Sequence, residues 1–392
     1  MQIKKYLTLF LAVSLVTMSC KKDKAAEEEI DPPKDQVDIA KVDEQINAFI
    51  TKYRIPGASL AVTKNGKLVY RKGYGFSDKE KAEKVTVNSR FRLASVSKTY
   101  TAAGIMKLVE QGKISLNDKV FGATGILGTK YGTLPYSDKI SQITLRHLLS
   151  HTTGGWAGSS GGDPIDQNPQ MSNDDFLTWV LKNKPQMYTP GTRYDYSNMG
   201  YFIAGRIIEK VSGKPYATYI KEMVSAFNDT NTDIAGPLLA DRKTNEVKYY
   251  SEGSDLGWEY KIALKRRDAD GGLMTTATDL LRFITAIDES TTRPDILNST
   301  SLAAMTTPSG PAPLSPYYGL GMVVGGTVWG HDGSLPGTRT SYKRSSNGIC
   351  IALLLNSRQD NNPSFQFANA IETQVAGILQ DNSIPWQDID QF

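Results

Sequence analysis

The stretch FRLASVSKTYTAAG, residues 91–104, places a serine three residues before a lysine at the start of a helical pattern. On a helix, Ser95 and Lys98 would share one face. The turns that follow are apolar nearly all round, which indicates a buried helix. Burial and the positive helix N-terminus both lower the pKa of a lysine, so the pattern predicts a base beside Ser95. The spacing alone is also compatible with an ordinary lysine, since Ser19 and Lys22 repeat it.

Helices are predicted for most of the middle of the chain. The helix that follows Ser95 covers residues 96–111 and ends at Gly112. Start and stop signals predict three more, which begin at Ser172 with Asp175, at Asn198 with a stop at Gly213, and at Thr276 with Asp279.

Strand patterns lie toward the two ends of the chain. Residues 57–75 form two strands joined at Asn65-Gly66, a pair suited to a tight hairpin turn. Further strands are predicted at 317–324, 327–330 and 348–355, and the last of these includes Cys350 as a buried residue. Helical periodicity precedes the first strand, from about residue 38, and follows the last, at 367–378. The predicted fold class is α/β: an antiparallel sheet flanked by terminal helices, with an all-helical region inserted at about 100–260.

A second chemical element is GTRYDYSNMGY, residues 191–201. In an extended segment Tyr196 and Asn198 face the same way, whereas Ser197 points elsewhere. The phenol and the carboxamide could therefore serve one site, in proton transfer and in substrate positioning. The alternative is a tyrosine that packs at a helix start which Asn198 caps.

A third element is VWGHDGSLPGTRT, residues 328–340. Gly333 allows another backbone or a ligand to come close to a strand. His331 can form hydrogen bonds, and the backbone N–H of Ser334 is a candidate donor to an oxyanion. The alternative is a glycine-rich turn beside a structural histidine.

Taken together and in this order, the three elements resemble the active-site motifs of the penicillin-recognising serine hydrolases. That superfamily includes class C β-lactamases, D,D-peptidases, D-aminopeptidases and esterases. The resemblance extends over about residues 38–379. It implies the β-lactamase-like fold, Ser95 as the acylated nucleophile, Lys98 and Tyr196 in proton transfer, Asn198 as a substrate contact, and the N–H groups of Ser95 and Ser334 as the oxyanion hole.

One departure from the family pattern bears on the substrate. Class C β-lactamases typically carry Lys-Thr-Gly where this chain has His331-Asp332-Gly333. A histidine is mostly neutral at pH 7, so recognition of a substrate carboxylate is weakened unless Arg339 supplies the cation. The sequence thus favours a peptidase, aminopeptidase or esterase over a true β-lactamase, which stays an alternative.

A metal site and a non-catalytic role are the other hypotheses. His147 and His151 have zinc-binding spacing, but the metalloprotease pattern needs a glutamate where Leu148 stands. Neither a metal nor another cofactor is therefore expected. A binding protein on the same fold is the non-enzyme alternative, with Trp156 and Trp258 as candidate cleft residues.

The N-terminus predicts export. Residues 1–19 have a basic start and a short apolar run, typical of a signal peptide, and Cys20 stands where lipoproteins are lipidated. Residues 20–37 are highly charged and form a predicted tether before a domain at 38–392. We therefore expect a periplasmic or cell-surface lipoprotein whose membrane contact is its lipid anchor.

Charge and location limit the partners. Basic residues number 45 against 41 acidic ones, which argues against nucleic acid. The expected partner is an acyl substrate: an ester, a D-amino-acid amide, a cell-wall peptide or a β-lactam.

Overall fold

A computed structural model describes most of the chain after the N-terminal segment. The residues it describes are 38–251, 253, 256–309, 317–359 and 369–392. The predicted signal peptide, the tether and Cys20 lie outside them.

Ten α-helices and twelve strands occur in the described part of the chain. The helices are α1 (Ala40–Lys52), α2 (Ser97–Glu110), α3 (Asp138–Gln142), α4 (Leu145–Leu149), α5 (Asn173–Asn183), α6 (Asn198–Ser212), α7 (Tyr216–Ser225), α8 (Ala277–Thr285), α9 (Ser299–Thr306) and α10 (Ala370–Gln380). The strands are β1 (Gly57–Lys64), β2 (Lys67–Asp78), β3 (Glu83–Lys84), β4 (Phe91–Arg92), β5 (Asp233–Ile234), β6 (Tyr250–Ser251), β7 (Leu273–Thr275), β8 (Val323–Gly325), β9 (Val328–Leu335), β10 (Thr338–Ser345), β11 (Ile349–Leu355) and β12 (Ser357–Arg358).

The main sheet joins the two ends of the chain. Its strand order is β3-β2-β1-β11-β10-β9-β8, and each neighbouring pair is antiparallel. At the hairpin between β1 and β2, Asn65 and Gly66 both have positive φ, as the tight turn requires. The α/β fold with an antiparallel sheet and helices is confirmed.

The central strand β11 is buried on both faces because two layers of helices cover the sheet. Its residues alternate between two apolar clusters. Cys350, Ala352 and Leu354 pack toward the helical region, whereas Ile351 and Leu353 pack with residues of the terminal helices α1 and α10. Helix α2, which follows Ser95, lies on the first of these faces, where the Thr99 hydroxyl is 2.9 Å from the Tyr342 hydroxyl of β10.

Helix boundaries follow local capping chemistry. The Ser172 side chain accepts the N–H of Asp175 at α5, and Thr276 does the same for Asp279 at α8. Helix α6 ends at Gly213, whose φ is +72°. Helices in the region between the strands continue to Thr306, beyond the expected limit near residue 260.

Two strand predictions near the third element were wrong in their limits. The segment predicted as a strand at 317–324 is mostly a turn, because Gly319 donates its N–H to the Met322 carbonyl and packs against the end of α9. The strand predicted at 327–330 instead runs on to Leu335 as β9. This longer strand carries His331, Gly333 and Ser334 of the third element along the edge of the site.

Candidate active site

Ser95 lies in a short 3-10 helix, Ala94–Val96, that leads from β4 into α2. Neighbouring strands hold this segment, since the Leu93 N–H donates to Leu273 and its carbonyl accepts from the Thr340 hydroxyl at 2.8 Å. Ala94 has a positive φ of 47°, which is strained for a residue with a Cβ. The nucleophile candidate therefore lies on a turn that tertiary contacts hold in place.

Lys98 is fully buried in the first turn of α2, as the apolar helix predicted. Its Nζ lies 3.1 Å from Ser95 Oγ, 2.8 Å from Asn198 Oδ1 and 2.8 Å from the carbonyl oxygen of Asp270. A neutral amine has two N–H groups and one lone pair, and two of these neighbours can only accept. The two N–H groups therefore fit Asn198 and Asp270, and the lone pair is left for the hydroxyl of Ser95.

Burial is the main cause of the altered acidity of Lys98. It lowers the pKa of the amine from 10.5 to about 8. The carboxylates of Asp270 and Asp163 oppose this change, and the guanidinium of Arg267 adds to it. A useful fraction of Lys98 is thus neutral near physiological pH.

Tyr196 and Asn198 converge on the same point as Ser95. Ser197, between them, points away and donates its hydroxyl to the Trp156 carbonyl, as the extended pattern predicted. The Tyr196 ring centre lies 4.9 Å from Lys98 Nζ. Burial raises the pKa of the Tyr196 phenol well above 10, and interaction with Ser95 opposes that change.

Sequence reasoning missed the role of His151 at this site. The structure places its ring against Tyr196, with centroids 4.1 Å apart and planes tilted by 32°. Its Nδ1 accepts the N–H of Ser197 at 3.0 Å, and burial lowers its pKa well below 6.5. His147, the other half of the zinc-like pair, instead accepts the N–H of Thr144 at the start of α4. Each histidine thus uses its Nδ1 to accept a backbone N–H group.

His331 is buried behind the site. Its Nδ1 lies 2.7 Å from the Asp332 carbonyl, which can only accept, so Nδ1 carries the proton. Nε2 then accepts from the Tyr318 hydroxyl at 2.9 Å. Burial and the nearby Lys98 lower the pKa of His331 to about 4, so the ring is neutral at pH 7.

Gly333 brings β9 against the segment that carries Ser95. A Cβ at this position would lie 2.3 Å from the Leu93 carbonyl oxygen and 2.3 Å from Thr340 Oγ1. Because no side chain fits there, the strand approaches closely, and Ser334 lines the same cavity as Ser95.

Arg339 is not where the sequence hypothesis needed it. It lies on the opposite face of the sheet, where its Nη2 is 2.6 Å from Glu372 Oε1 of α10. It pairs with Ser334 in the β9–β10 ladder, and its side chain points to the face of the sheet that α10 covers. The placement argues against Arg339 as a contact to substrate.

The cavity above Ser95 has a volume of about 670 Å³. Its charged lining residues are Asp166, Asp270, Lys261, Arg267 and Arg358. Arg358, which the sequence reasoning did not single out, donates to Ser334 Oγ at 3.0 Å. The half-exposed Trp258 lines the mouth, whereas Trp156 is buried and anchors its loop through the Lys184 carbonyl.

Sequence comparison shows to which protein family the chain belongs. A family model described as Beta-lactamase matches residues 42–375. The chain belongs to the β-lactamase family. This family membership confirms the resemblance drawn from the three elements.

Individual relatives of this β-lactamase-family chain are distant. Protein flp of Staphylococcus aureus is 28% identical over 218 residues, which cover 56% of this chain and 41% of that protein. The chain thus spans less than half the length of that relative. The Bacillus subtilis protein PbpX is 26% identical over 343 residues, which cover 86% of this chain and 79% of PbpX.

Solved structures share the fold. The octameric penicillin-binding protein homologue from Pyrococcus abyssi superposes with a TM-score of 0.64 at 26% identity, covering 87% of this chain and 78% of that one. A D-amino acid amidase from Ochrobactrum anthropi SV3 gives 0.67 at 21% identity, covering 86% and 98%. At that identity the second likeness shows the fold alone.

Proposed function

We propose that this chain is a serine hydrolase that cleaves an amide or an ester through an acyl-enzyme on Ser95. The observation that carries the proposal is the position of Lys98: of the three groups that lie within hydrogen-bonding distance of its buried amine in the described part of the chain, the Ser95 hydroxyl is the one that can donate. Competent residues at the other expected positions favour this enzyme over a non-catalytic binding protein.

The proposed reaction has two halves. Ser95 Oγ attacks the substrate carbonyl carbon while Lys98 takes the hydroxyl proton, and the electron pair moves to the carbonyl oxygen near the N–H groups of Ser95 and Ser334. As the tetrahedral intermediate collapses and its bond to the leaving amine or alcohol breaks, Tyr196 gives that group a proton and is reprotonated by Lys98, and an acyl-enzyme remains. Water then attacks the ester carbonyl and gives up a proton to the same pair of groups, which return a proton to Ser95 Oγ as its bond to the acyl carbon breaks.

The neutral His331 bears on substrate choice. It supplies no cation at the place where a Lys-Thr-Gly element would have one, which favours a D,D-peptidase, D-aminopeptidase or esterase activity over β-lactam hydrolysis. The D-amino acid amidase among the structural neighbours supports D-amino-acid amides as one class to test.

A fluorophosphonate probe tests the nucleophile. We expect labelling of the wild-type protein and of Ser225→Ala, an exposed serine at the end of α7, but none of Ser95→Ala. Turnover of nitrocefin, a D-Ala-D-Ala peptide, a D-amino-acid anilide and a p-nitrophenyl ester then ranks the substrates. Absence of labelling in the wild type, with no turnover, would contradict the proposal and favour a binding protein.

We also propose export and lipid anchoring at Cys20, supported by the sequence pattern of residues 1–20. In the described part of the chain, no helix has both the length and the apolar character needed to span a bilayer. Blocking lipoprotein processing should change the mass of the protein and its recovery in the membrane fraction, and Cys20→Ala should do the same. An unchanged mass in both cases would exclude lipidation.

A further inference from the structure

Asp163 is a carboxylate that lies outside the three sequence elements and is connected to the proposed base through Asn198. Its Oδ2 accepts the backbone N–H of Asn198 at 2.5 Å, and its Oδ1 accepts that of Ile165 at 3.1 Å. Asn198 is the first residue of α6, so its N–H has no partner within the helix. A carboxylate at a helix N-terminus also interacts favourably with the helix dipole. Asp163 therefore completes the start of α6, where Ser197 already accepts the N–H of Gly200.

A chain of contacts runs from this carboxylate to the nucleophile. Asp163 holds the backbone of Asn198, the Oδ1 of Asn198 accepts from Lys98 Nζ, and Lys98 Nζ lies beside Ser95 Oγ. A small displacement at the start of α6 would move the acceptor that orients the amine.

We propose that Asp163 is a positioning residue for acylation: its ionised carboxylate fixes the start of α6 and thereby holds Asn198 against Lys98. The inference rests on the proposed function, because it is there that Lys98 acts as the base. Asp163 itself touches neither Ser95 nor the reacting atoms in this arrangement.

The charged groups around Asp163 come from two other elements. Asp270 and Arg267 lie in the loop before β7, and Lys98 lies on α2. Asp166, on the same segment as Asp163, pairs with Arg267. Burial raises the pKa of Asp163 from 3.8 to about 6; the two backbone hydrogen bonds and Arg267 oppose this rise and Asp270 adds to it. The carboxyl group thus changes charge near pH 6.

Protonation would weaken the hold on α6. A protonated carboxyl has one oxygen that donates, so it accepts less well from two backbone N–H groups. A raised pKa also means that the ionised form is less favourable in the folded chain than in the unfolded one. The resulting decrease in the free energy of unfolding is absent below pH 3.8 and complete above about pH 6. A carboxylate that lowers stability at neutral pH fits a role in the site better than a role in folding.

Acylation by p-nitrophenyl acetate, followed as the first burst of p-nitrophenol across pH 4–9, tests the inference. For the wild type we expect the logarithm of the rate to fall with a slope of about one between pH 8 and 6, from Lys98, and of about two below pH 6. Asp163→Asn should keep a slope of about one at all pH values below 8 and acylate roughly 10- to 100-fold more slowly at pH 8. The matched control is Asp175→Asn, a carboxylate in the first turn of α5 that accepts from Ser172, and it should keep the wild-type profile.

An NMR titration of lysines labelled at Cε gives a readout that does not need turnover. The Lys98 signal should titrate near pH 8 and show a second, smaller step near pH 6 that Asp163→Asn removes and Asp175→Asn retains. If the ester never acylates the wild type but the second step is present, the proposed function fails while the link between Asp163 and Lys98 stands. The inference would be overturned, with the proposed function left standing, if Asp163→Asn kept the wild-type rate at pH 8, the slope of about two below pH 6 and the second step of the Lys98 signal.

Discussion

At the residue scale, the acidity of Lys98 determines when Ser95 can react. With a pKa of about 8, about one Lys98 in ten is neutral at pH 7. Acylation between pH 6 and 8 should therefore rise about tenfold per pH unit and level off above pH 8. Lys98→Ala should lose about 10²- to 10⁴-fold in acylation rate together with this pH dependence. Stopped-flow acylation of both proteins checks this, and a wild-type rate in the variant would remove Lys98 from the mechanism.

Tyr196 permits a test that separates chemistry from folding. Its hydroxyl is buried and, among the described residues, has no hydrogen bond of ordinary geometry besides its interaction with Ser95; its ring packs on His151. Tyr196→Phe keeps the ring and removes only the hydroxyl, so the thermal midpoint should stay the same or rise. Turnover should fall by about 10²- to 10⁴-fold, because proton transfer to the leaving group is lost. A fall in the thermal midpoint together with the fall in turnover would instead indicate that the Tyr196 hydroxyl has a structural role.

At the element scale, the glycine in β9 controls how closely the strand meets the Ser95 segment. In Gly333→Ala the added methyl would displace either the Leu93 carbonyl or Thr340, because both lie 2.3 Å from its position. We expect the free energy of unfolding to fall by about 1–3 kcal/mol. The acylation rate should fall by more than this loss of folded protein explains.

Gly325→Ala is the matched control for this prediction. Gly325 lies in β8 of the same sheet, and a Cβ there would have no atom within 4 Å. Urea unfolding and fluorophosphonate labelling of both variants give the comparison. Full labelling of Gly333→Ala would contradict the close approach of β9.

At the scale of the whole molecule, β11 separates the site from the terminal helices. Leu353 is fully buried on the face covered by α1 and α10, away from Ser95. Leu353→Ala should lower the free energy of unfolding by about 2–5 kcal/mol through lost burial and a cavity. The folded fraction should acylate at the wild-type rate. Urea titration combined with active-site labelling tests both parts, and a reduced rate in fully folded protein would show that the two faces are coupled.

The tertiary structure also shows why some site residues were beyond the sequence. Strand alternation predicts which neighbours share a face with Ser334 and which share a face with Arg339. It does not predict which face meets the helical region. The pairing of β9 with β10 and the packing of α10 place Arg339 beside Glu372, away from the cavity. Asp163 and Arg358 carry no local motif and reach the site only because distant segments fold against it.

The sequence by itself determined the features whose causes are local. Helix caps at Ser172 and Thr276, the Asn65-Gly66 turn and the buried α2 all follow from residues within a few positions of one another, and so does the shared face of Ser95 and Lys98. The assembly of the site is different in kind. Neither the packing of His151 against Tyr196 nor the contact of Asn198 with Lys98 follows from spacing, because each joins segments separated by many residues. Only the packing of helices against the antiparallel sheet brings those segments within hydrogen-bonding distance.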